Sequence, residues 1–293
     1  MKITAEVLAS FKPAKVFNQN QNVINSMDFS ADGSLLITAS DDESMQIYNT
    51  ENGVFERTLY SKKYGVDLIR FTHAPNTVIC ASKNNWDETI RYLSIHDNRY
   101  LRYFKGHRDR VVSLNMCPVN DTFISGSLDG TVRLWDLRTT NCQGILRMRH
   151  EASSFIGHSV AASFDPSGMI MAVAMGKNTM KLYDTRMYDK GPFSTFNLQH
   201  ESDLYWYNMQ FCNDGKLVLL TTQEGIIVVD SYHGNLVRHI PMHSDYPLEA
   251  SFTPDGQFIL CGTSNGIVNV WGSTSGKLTA VWRSETSHPG PVG

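Results

Sequence analysis

One short stretch of the chain holds a histidine, a serine and an aspartate, the three residue types of a hydrolase triad. They are His107, Ser125 and Asp129, and Trp135 follows in the same stretch. The same residue types can instead form a buried network in which an indole N–H, an imidazole, a hydroxyl and a carboxylate satisfy one another. No nucleophile-elbow sequence surrounds Ser125, so the sequence favours a structural network over catalysis.

These residues lie within Gly106–Asp136, which reads as three strands separated by turns. The stretch begins with Gly-His, continues through two apolar runs and an Asp-Gly turn, and closes on a third strand that ends in Trp-Asp. This order is typical of a WD-type repeat, which forms a four-stranded propeller blade of roughly 40–45 residues. The spacing of the four polar and aromatic residues is that of the hydrogen-bonded tetrad of such a repeat.

The same pattern recurs along the chain. Each copy has an apolar anchor near the end of its first strand, and the anchors are Phe29, Phe71, Met116, Phe164, Phe211 and Phe252. Successive anchors lie 42, 45, 48, 47 and 41 residues apart. A β-branched or aromatic-rich strand bounded by turn residues closes each copy. We therefore predict one all-β domain over residues 1–293, a seven-bladed WD-repeat β-propeller with six complete blades and an incomplete seventh.

The predicted repeats have defined limits. They span residues 22–50, 65–94, 106–136, 158–184, 206–230 and 246–272, and a partial repeat covers 288–293. In this fold the N-terminal strand normally forms the outer strand of the last blade, and Ala14–Phe17 is expected in that position. Without the remaining strands, we expect an open sheet edge and an uncovered apolar face on the sixth blade, and a stability below that of a closed ring.

Composition argues against several classes of function. The longest apolar runs are far shorter than the ~20 residues of a membrane span. Five scattered cysteines without a Cys-x-x-Cys pair predict reduced core thiols and no zinc site. His150, Glu151 and His158 fall in the long connection Arg147–His158 and could suggest a metal cluster, but a solvated loop is favoured. We predict no metal, no cofactor and no enzymatic activity.

Charge is distributed unevenly along the chain. The formal net charge is −3, which speaks against direct nucleic-acid binding. Residues 57–110, however, contain eleven basic and five acidic side chains, which gives this segment a net charge of +6. The rest of the chain therefore has a net charge of −9. This basic sector is either an ordinary solvated surface or a dock for an acidic or phosphorylated peptide.

Several strings go beyond a generic WD repeat. They are Thr58–Ile79, Asp87–His107, Asp121–Gly144, Tyr188–Phe196 and Leu248–Ile259. Together they resemble the WD-repeat subunit of COMPASS-type histone H3 lysine-4 methyltransferase complexes. In that family the same subunit also serves a nuclear protein phosphatase 1 complex and, in fungi, the mRNA cleavage and polyadenylation factor.

The resemblance implies a nuclear, non-catalytic adaptor. Its expected partners are the methyltransferase catalytic subunit, other subunits of the complex, and the serine-phosphorylated C-terminal domain of RNA polymerase II. The basic sector is compatible with phosphopeptide binding through a set of aromatic and basic side chains: Tyr60, Lys62, Lys63, Tyr64 and Arg70.

Two other assignments stay open. The chain could serve the 3′-end processing or phosphatase complexes, because the family uses one subunit for these processes. It could also be the substrate receptor of a ubiquitin ligase, since Trp135–Arg138 fits the Trp-Asp-x-Arg pattern of such receptors and Tyr183–Arg186 nearly does.

Overall fold

A computed structural model describes residues 3–84, 87–147, 160–176, 178–198, 204–242, 248–263 and 265–283. The chain divides into two compact units, Lys15–Ser154 and Met1–Ala14 together with Phe155–Gly293. Among the described residues each unit holds three four-stranded antiparallel sheets, in which consecutive strands pair in chain order. The single domain predicted over residues 1–293 stays a prediction.

The unit Lys15–Ser154 contains the first three sheets. The first sheet has β1 (Ile24–Phe29), β2 (Leu35–Ser40), β3 (Ser44–Asn49) and β4 (Val54–Tyr60). The second sheet has β5 (Ile69–Phe71), β6 (Thr77–Cys80), β7 (Ile90–Ser94) and β8 (Arg99–Phe104). The third sheet has β9 (Val111–Met116), β10 (Thr122–Ser127), β11 (Thr131–Asp136) and β12 (Gly144–Arg147).

Apolar faces of successive sheets pack together in this unit. Ile37 and Ile47, paired across β2 and β3, share a core with Ile69 and Val78 of the second sheet. The opposite face of the second sheet packs on the third in a core centred on Phe104, with Phe123 and Trp135 against it. Alternate side chains on a strand point to opposite faces, so a sheet packed on both sides needs apolar residues at nearly every position of its middle strands.

The second unit contains the other three sheets. The fourth sheet has β13 (Ala161–Phe164), β14 (Ile170–Ala174), β15 (Thr179–Asp184) and β16 (Ser194–Asn197), with a 3-10 turn over Tyr188–Lys190. The fifth has β17 (Trp206–Phe211), β18 (Leu217–Thr222), β19 (Gly225–Asp230) and β20 (Leu236–Pro241). The sixth has β21 (Ala250–Phe252), β22 (Phe258–Gly262), β23 (Ile267–Gly272) and β24 (Leu278–Arg283).

Packing in this unit follows the same rule. Leu182 of the fourth sheet and Trp206 and Val218 of the fifth share one core. Leu219 on the other face of β18 shares a second core with Trp271 of the sixth sheet. The described residues thus form six sheets, and the all-β WD-repeat propeller architecture is confirmed. The seven-blade count finds no support, and the partial repeat at 288–293 lies outside the described residues.

A short helix covers part of the far face of the sixth sheet. Helix α1 (Ala5–Ala9) is capped by Thr4, whose hydroxyl accepts a hydrogen bond from the Val7 amide. Leu8 is 2% exposed and packs with Val270 and Ala280. The indole of Trp282 donates to the Leu8 carbonyl at 2.7 Å. The expectation of an uncovered face on the sixth sheet is therefore wrong in part, because α1 supplies a cover.

The strand expected at Ala14–Phe17 is absent, since residues 11–20 have no regular secondary structure. In the unit that begins at Lys15, the Phe17 ring packs on Tyr48 of β3 with centroids 4.7 Å apart. The Lys15 ammonium donates to the Gly53 carbonyl. Aromatic packing on a sheet face has replaced strand pairing here, and apolar pattern alone does not separate these two ways of burying the same side chains.

Candidate functional site

The four tetrad residues come together in the third sheet. Ser125 lies in β10 and Trp135 in β11, while His107 precedes β9 and Asp129 lies in the β10–β11 turn. Gly130 completes that turn with a φ of 74°, a conformation that glycine adopts without strain. The turn and the β8–β9 connection thus bring a carboxylate and an imidazole over the two middle strands.

The contacts run in a chain from the indole to the carboxylate. Trp135 Nε1 donates to Ser125 Oγ at 2.8 Å, and Ser125 Oγ lies 2.7 Å from His107 Nε2. His107 Nδ1 lies 3.0 Å from Asp129 Oδ2. Because the Asp129 carboxylate can only accept, Nδ1–H of His107 donates to it. This assigns Nε2 as the acceptor of the Ser125 hydroxyl hydrogen, while Ser125 Oγ accepts from the indole.

This connectivity is also that of a Ser-His-Asp triad, so burial must decide its role. Ser125 is 0% exposed, and the His107 side chain is 1% exposed. Trp135 covers the serine from one side and stacks on Phe123, with ring centroids 6.1 Å apart. A substrate carbonyl has no access to Ser125 Oγ in this arrangement, and the network therefore stabilises the blade.

Asp129 is the hub of the turn. Besides His107, its carboxylate accepts hydrogen bonds from the Thr131 amide at 2.9 Å and from the Arg108 amide at 3.0 Å. Burial by itself raises the pKa of this carboxyl, but the hydrogen bonds from His107 and Thr131 outweigh it and hold the pKa well below its usual range. The charged carboxylate therefore belongs to the folded state.

The depressed pKa of Asp129 predicts a defined loss of stability in acid. In the unfolded chain this carboxyl takes up its proton at about pH 4. As the pH falls below that value, the unfolded state binds the proton first, and the free energy of unfolding decreases towards the folded-state pKa. We expect Asp129→Asn to be less stable than the parent at neutral pH, and the difference to shrink as the pH falls below about 4. Urea unfolding at a series of pH values measures this.

The control is Asp189→Asn, which makes the same chemical change on an exposed side chain of the other unit and should alter the free energy of unfolding at neutral pH by no more than about 0.5 kcal/mol. If the parent and Asp129→Asn gave parallel curves through the acid range, the carboxylate would not be coupled to folding in this way.

The second sheet has a different arrangement at the equivalent positions. Cys80 pairs with Ile69 and Arg91 just as Ser125 pairs with Leu114 and Arg133, so cysteine stands at the serine position. Leu93 replaces the tryptophan by the same register, and the aspartate is retained as Asp87, whose carboxylate accepts from the Thr89 amide at 3.1 Å. Among the described residues, the complete tetrad of these four residue types occurs in the third sheet.

Arg91 replaces the histidine as the partner of that retained aspartate. Its Nη2 donates to the two Asp87 carboxylate oxygens at 2.7 and 2.9 Å, although Arg91 itself is only 2% exposed. Its guanidinium carbon lies 3.5 Å from the centroid of Tyr64, and Tyr100 and Tyr103 stand further out at 5.9 Å each. Sequence reasoning did not single out Arg91, although Asp87–Arg91 repeats the spacing of Asp129–Arg133.

Four of the five predicted peptide-binding residues cluster at the end of β4. Tyr60 is 54% exposed, and the Lys62 ammonium lies 5.5 Å from its ring centroid. The Lys63 ammonium lies 5.1 Å from the centroid of Tyr64. The Gly65 amide donates to the Ser61 carbonyl at 2.8 Å, and this turn presents the two lysines at its tip.

Arg70 is used differently. It lies on β5, and its Nη1 donates to Ser26 Oγ at 3.1 Å and to the Ile69 carbonyl at 2.7 Å. Nearby, the Asp28 carboxylate accepts from the Phe71 amide at 2.7 Å, and burial raises its pKa against the opposing effect of Arg70. Arg70 therefore joins the first and second sheets at their β1 and β5 strands.

Several basic side chains of the basic sector are already bound by neighbouring carboxylates or backbone carbonyls. Lys83 lies 3.2 Å from Asp41 and 3.6 Å from Asp67. Arg110 binds the same Asp67 at 2.7 Å. Arg57 and Arg102 donate to the backbone carbonyls of His96 and Leu137. The excess of basic residues thus leaves a smaller cationic surface than the sequence count suggests. Lys62, Lys63, Lys105 and Arg108 are exposed members of it.

The composition predicts reduced core thiols, and it predicts neither a metal site nor a membrane span. All five cysteines are free thiols, and burial raises the pKa of Cys80 and of Cys261 to about 12. Within the described ranges, no group of His, Cys, Asp and Glu could hold a metal ion. The connection with His150, Glu151 and His158 lies outside the described residues. None of the described helices has the length and apolar character that a membrane span requires.

Comparison with known proteins places this geometry in a family. The model of the WD domain, G-beta repeat, matches residues 11–49, 98–136 and 234–272. Over all of its length the chain is 47% identical to WD repeat-containing protein 82 of Drosophila melanogaster, and it covers 90% of that protein. It is 38% identical to Set1 complex component swd2 of Schizosaccharomyces pombe, over 90% of the chain and 76% of that protein. The chain belongs to the Swd2 family of WD-repeat proteins.

COMPASS component SWD2 of Saccharomyces cerevisiae is a further member, 33% identical over 95% of the chain and 85% of the yeast protein. The matched WD repeats do not coincide with the sheets of this chain. The matched repeat 98–136 begins at the turn before β8, which is the outer strand of the second sheet. It ends with β11 of the third sheet. The matched repeat 234–272 likewise runs from β20 to β23. Each of these two matched repeats therefore supplies the outer strand of one sheet and the first three strands of the next.

Proposed function

We propose that this chain is a non-catalytic adaptor subunit of a nuclear histone H3 lysine-4 methyltransferase complex. The observation that carries the proposal is the similarity, at 33–38% identity over most of the chain, to proteins named as components of Set1 and COMPASS complexes. The buried tetrad supports the non-catalytic part, because its serine has no access to a substrate. The chain would act by binding other subunits and placing them close together.

Copurification tests the choice of complex. The tagged chain, expressed in its native cells, is expected to recover the methyltransferase catalytic subunit, identified by mass spectrometry. Recovery of a protein phosphatase 1 catalytic subunit or cleavage and polyadenylation subunits without the methyltransferase would move the chain to one of those complexes. Recovery of a cullin adaptor would support a ubiquitin-ligase receptor instead.

The second part of the proposal is a phosphopeptide contact that links the complex to transcribing RNA polymerase II. Its support is the tip of the β4–β5 connection, where Lys62 and Lys63 project beside the rings of Tyr60 and Tyr64. Two ammonium groups on a short turn suit a doubly charged phosphate, and the tyrosine rings offer surfaces for the peptide. Arg70 would contribute indirectly, by holding β5 against β1.

Charge reversal at the tip should weaken this contact. We expect the double variant Lys62→Glu and Lys63→Glu to bind a synthetic serine-phosphorylated peptide from the polymerase C-terminal domain about tenfold or more weakly, since a tenfold change corresponds to about 1.4 kcal/mol. Fluorescence anisotropy with the labelled peptide gives the affinity.

The unphosphorylated peptide and a second double variant are the controls. Lys216→Glu with Lys277→Glu makes the same charge change on exposed lysines of the other unit, and its affinity should stay near that of the parent. An unchanged affinity of the Lys62 and Lys63 variant would remove this patch from the proposal while leaving the choice of complex untouched.

A further inference from the structure

The connection between β15 and β16, at one end of the fourth sheet, is fixed by hydrogen bonds at both of its ends. Thr185 fixes its start, since its amide and hydroxyl donate to the Met169 and Gly168 carbonyls at 2.9 and 2.8 Å. The Met187 amide then donates to the Asp184 backbone carbonyl at 3.1 Å. At the far end the Phe193 amide returns to the Leu182 carbonyl at 3.0 Å. We call residues 185–193 the hairpin loop.

Glycine completes the shape of the hairpin loop. The 3-10 turn over Tyr188–Lys190 ends at Gly191. The backbone angles of Gly191, a φ of 91° and a ψ of −179°, fall in a region that residues other than glycine rarely adopt. The space around it is open, because an added Cβ would meet no atom within 4 Å. Glycine is therefore needed there for the backbone conformation and not for packing.

This ordered loop exposes large apolar side chains. Phe193 is 59% exposed, Met187 is 48% exposed, and Met169, on the adjacent β13–β14 turn, is 58% exposed. Single exposed apolar residues are ordinary on a protein surface. Here three of them lie on a loop and a turn that are hydrogen-bonded to each other through Thr185, and such an accumulation is typical of contact sites. A phenylalanine beside two methionines can receive an apolar anchor, because the flexible methionine side chains adjust to the shape of that anchor. We call these three residues the apolar patch.

Charge at the patch indicates what kind of partner would fit. Arg186 and Lys190 are exposed on the same loop, against one exposed carboxylate, Asp189. The unit as a whole has the opposite balance, with thirteen acidic and ten basic side chains in residues 1–14 and 155–293. Two basic side chains and one carboxylate on the same loop as exposed apolar residues are complementary to an acidic segment with an apolar anchor.

We propose that the hairpin loop is a docking site for an acidic peptide segment of a partner protein, with an aromatic or leucine side chain of that segment packed on the apolar patch. Arg186 and Lys190 would pair with the acidic residues that flank this anchor. The site lies in the unit that does not contain the Lys62–Lys63 tip, and it does not depend on the function proposed above.

Peptide selection on the full 293-residue chain tests the docking site. A phage-displayed library of random short peptides is panned against the chain, and the most enriched peptide is synthesised with a fluorescent label. We expect enriched peptides to combine an aromatic or leucine residue with flanking Asp or Glu. Phe193→Ser, and separately Arg186→Glu with Lys190→Glu, should each weaken binding of that peptide about tenfold.

Two further variants distinguish this site from a general surface effect. Tyr232→Ser removes another exposed aromatic side chain, 69% exposed on the β19–β20 connection, and should leave the affinity unchanged. Gly191→Ala alters no side chain of the patch but strains the loop, and should weaken binding. Thermal unfolding of each variant within a few degrees of the parent would show that the fold is retained.

Three outcomes would overturn the proposal. One is a selection that enriches no acidic peptide. Another is an enriched peptide that binds Phe193→Ser and the parent equally well. The third is concentration-dependent dimerisation in sedimentation velocity that Phe193→Ser abolishes, since the patch would then be a contact between two copies of this chain.

Discussion

Trp135→Ala should lower the free energy of unfolding of the Lys15–Ser154 unit by about 3–5 kcal/mol. Trp135 is fully buried, and its removal leaves a cavity against Phe104 and Phe123. It also takes the indole donor from Ser125 Oγ in a site that water does not reach. Lost packing and a broken network act on the same residue, which makes this one of the two largest effects expected from a single substitution.

Trp135→Phe separates these two contributions. The phenylalanine ring keeps most of the packing but has no N–H. We therefore expect the free energy of unfolding to fall by only about 1–2 kcal/mol. Hydrogen exchange measured by mass spectrometry reports both variants, through the protection of peptides from β9–β12. Peptides from β13–β24 serve as the internal reference. Equal losses for the alanine and phenylalanine variants would show that packing of this side chain contributes little.

Leu8→Ala should destabilise the other unit by about 2–5 kcal/mol. Helix α1 has only five residues, too short to be stable by itself, so its position depends on the contacts that it makes with the sixth sheet. Leu8 supplies the fully buried contact among them, with Val270 and Ala280. Truncation should release the helix and with it the hydrogen bond from Trp282.

Leu278→Ala is the matched control, because Leu278 is 48% exposed at the start of β24. Its effect should stay within about 0.5 kcal/mol. The measurement is hydrogen exchange in peptides from β23 and β24, together with the fluorescence of Trp282, which α1 partly covers. If Leu8→Ala left the exchange of β23 and β24 unchanged, the cover provided by α1 would be dispensable for the sixth sheet.

The periodic parts of the fold could be predicted from the sequence. The six anchors from Phe29 to Phe252 lie in the first strands of the six sheets, as the repeat spacing indicated. Such predictions succeed because each strand alternates or concentrates apolar residues and ends at a turn. The N-terminal segment has no such period. Whether Phe17 pairs in a strand or packs its ring on Tyr48 depends on distant residues, and the local sequence does not encode that choice.

The two candidate sites were predictable to different degrees. The tetrad could be read from residue types and spacing, because His107 and Asp129 stand at fixed offsets from the strands that carry Ser125 and Trp135. The basic sector could not be read from its count of charges. Arg110 is bound by Asp67 across two sheets, and a contact between residues so far apart in the chain is invisible to a local count. The sequence singled out the hairpin loop only through Tyr188–Phe196, one of the strings that resemble the WD-repeat subunit family, and it did not indicate a binding site there.

The offset between WD units and sheets affects how such a chain can change its length over evolution. Losing residues 98–136 would remove the turn before β8 and the strands β8 to β11, and would join β7 directly to β12. Because β12 is itself an outer strand, the second sheet would again have four strands in the correct order. A duplication of one period would add four strands by the same rule. Recombination within these genes can therefore break at any point of the repeat, provided that a whole period is gained or lost.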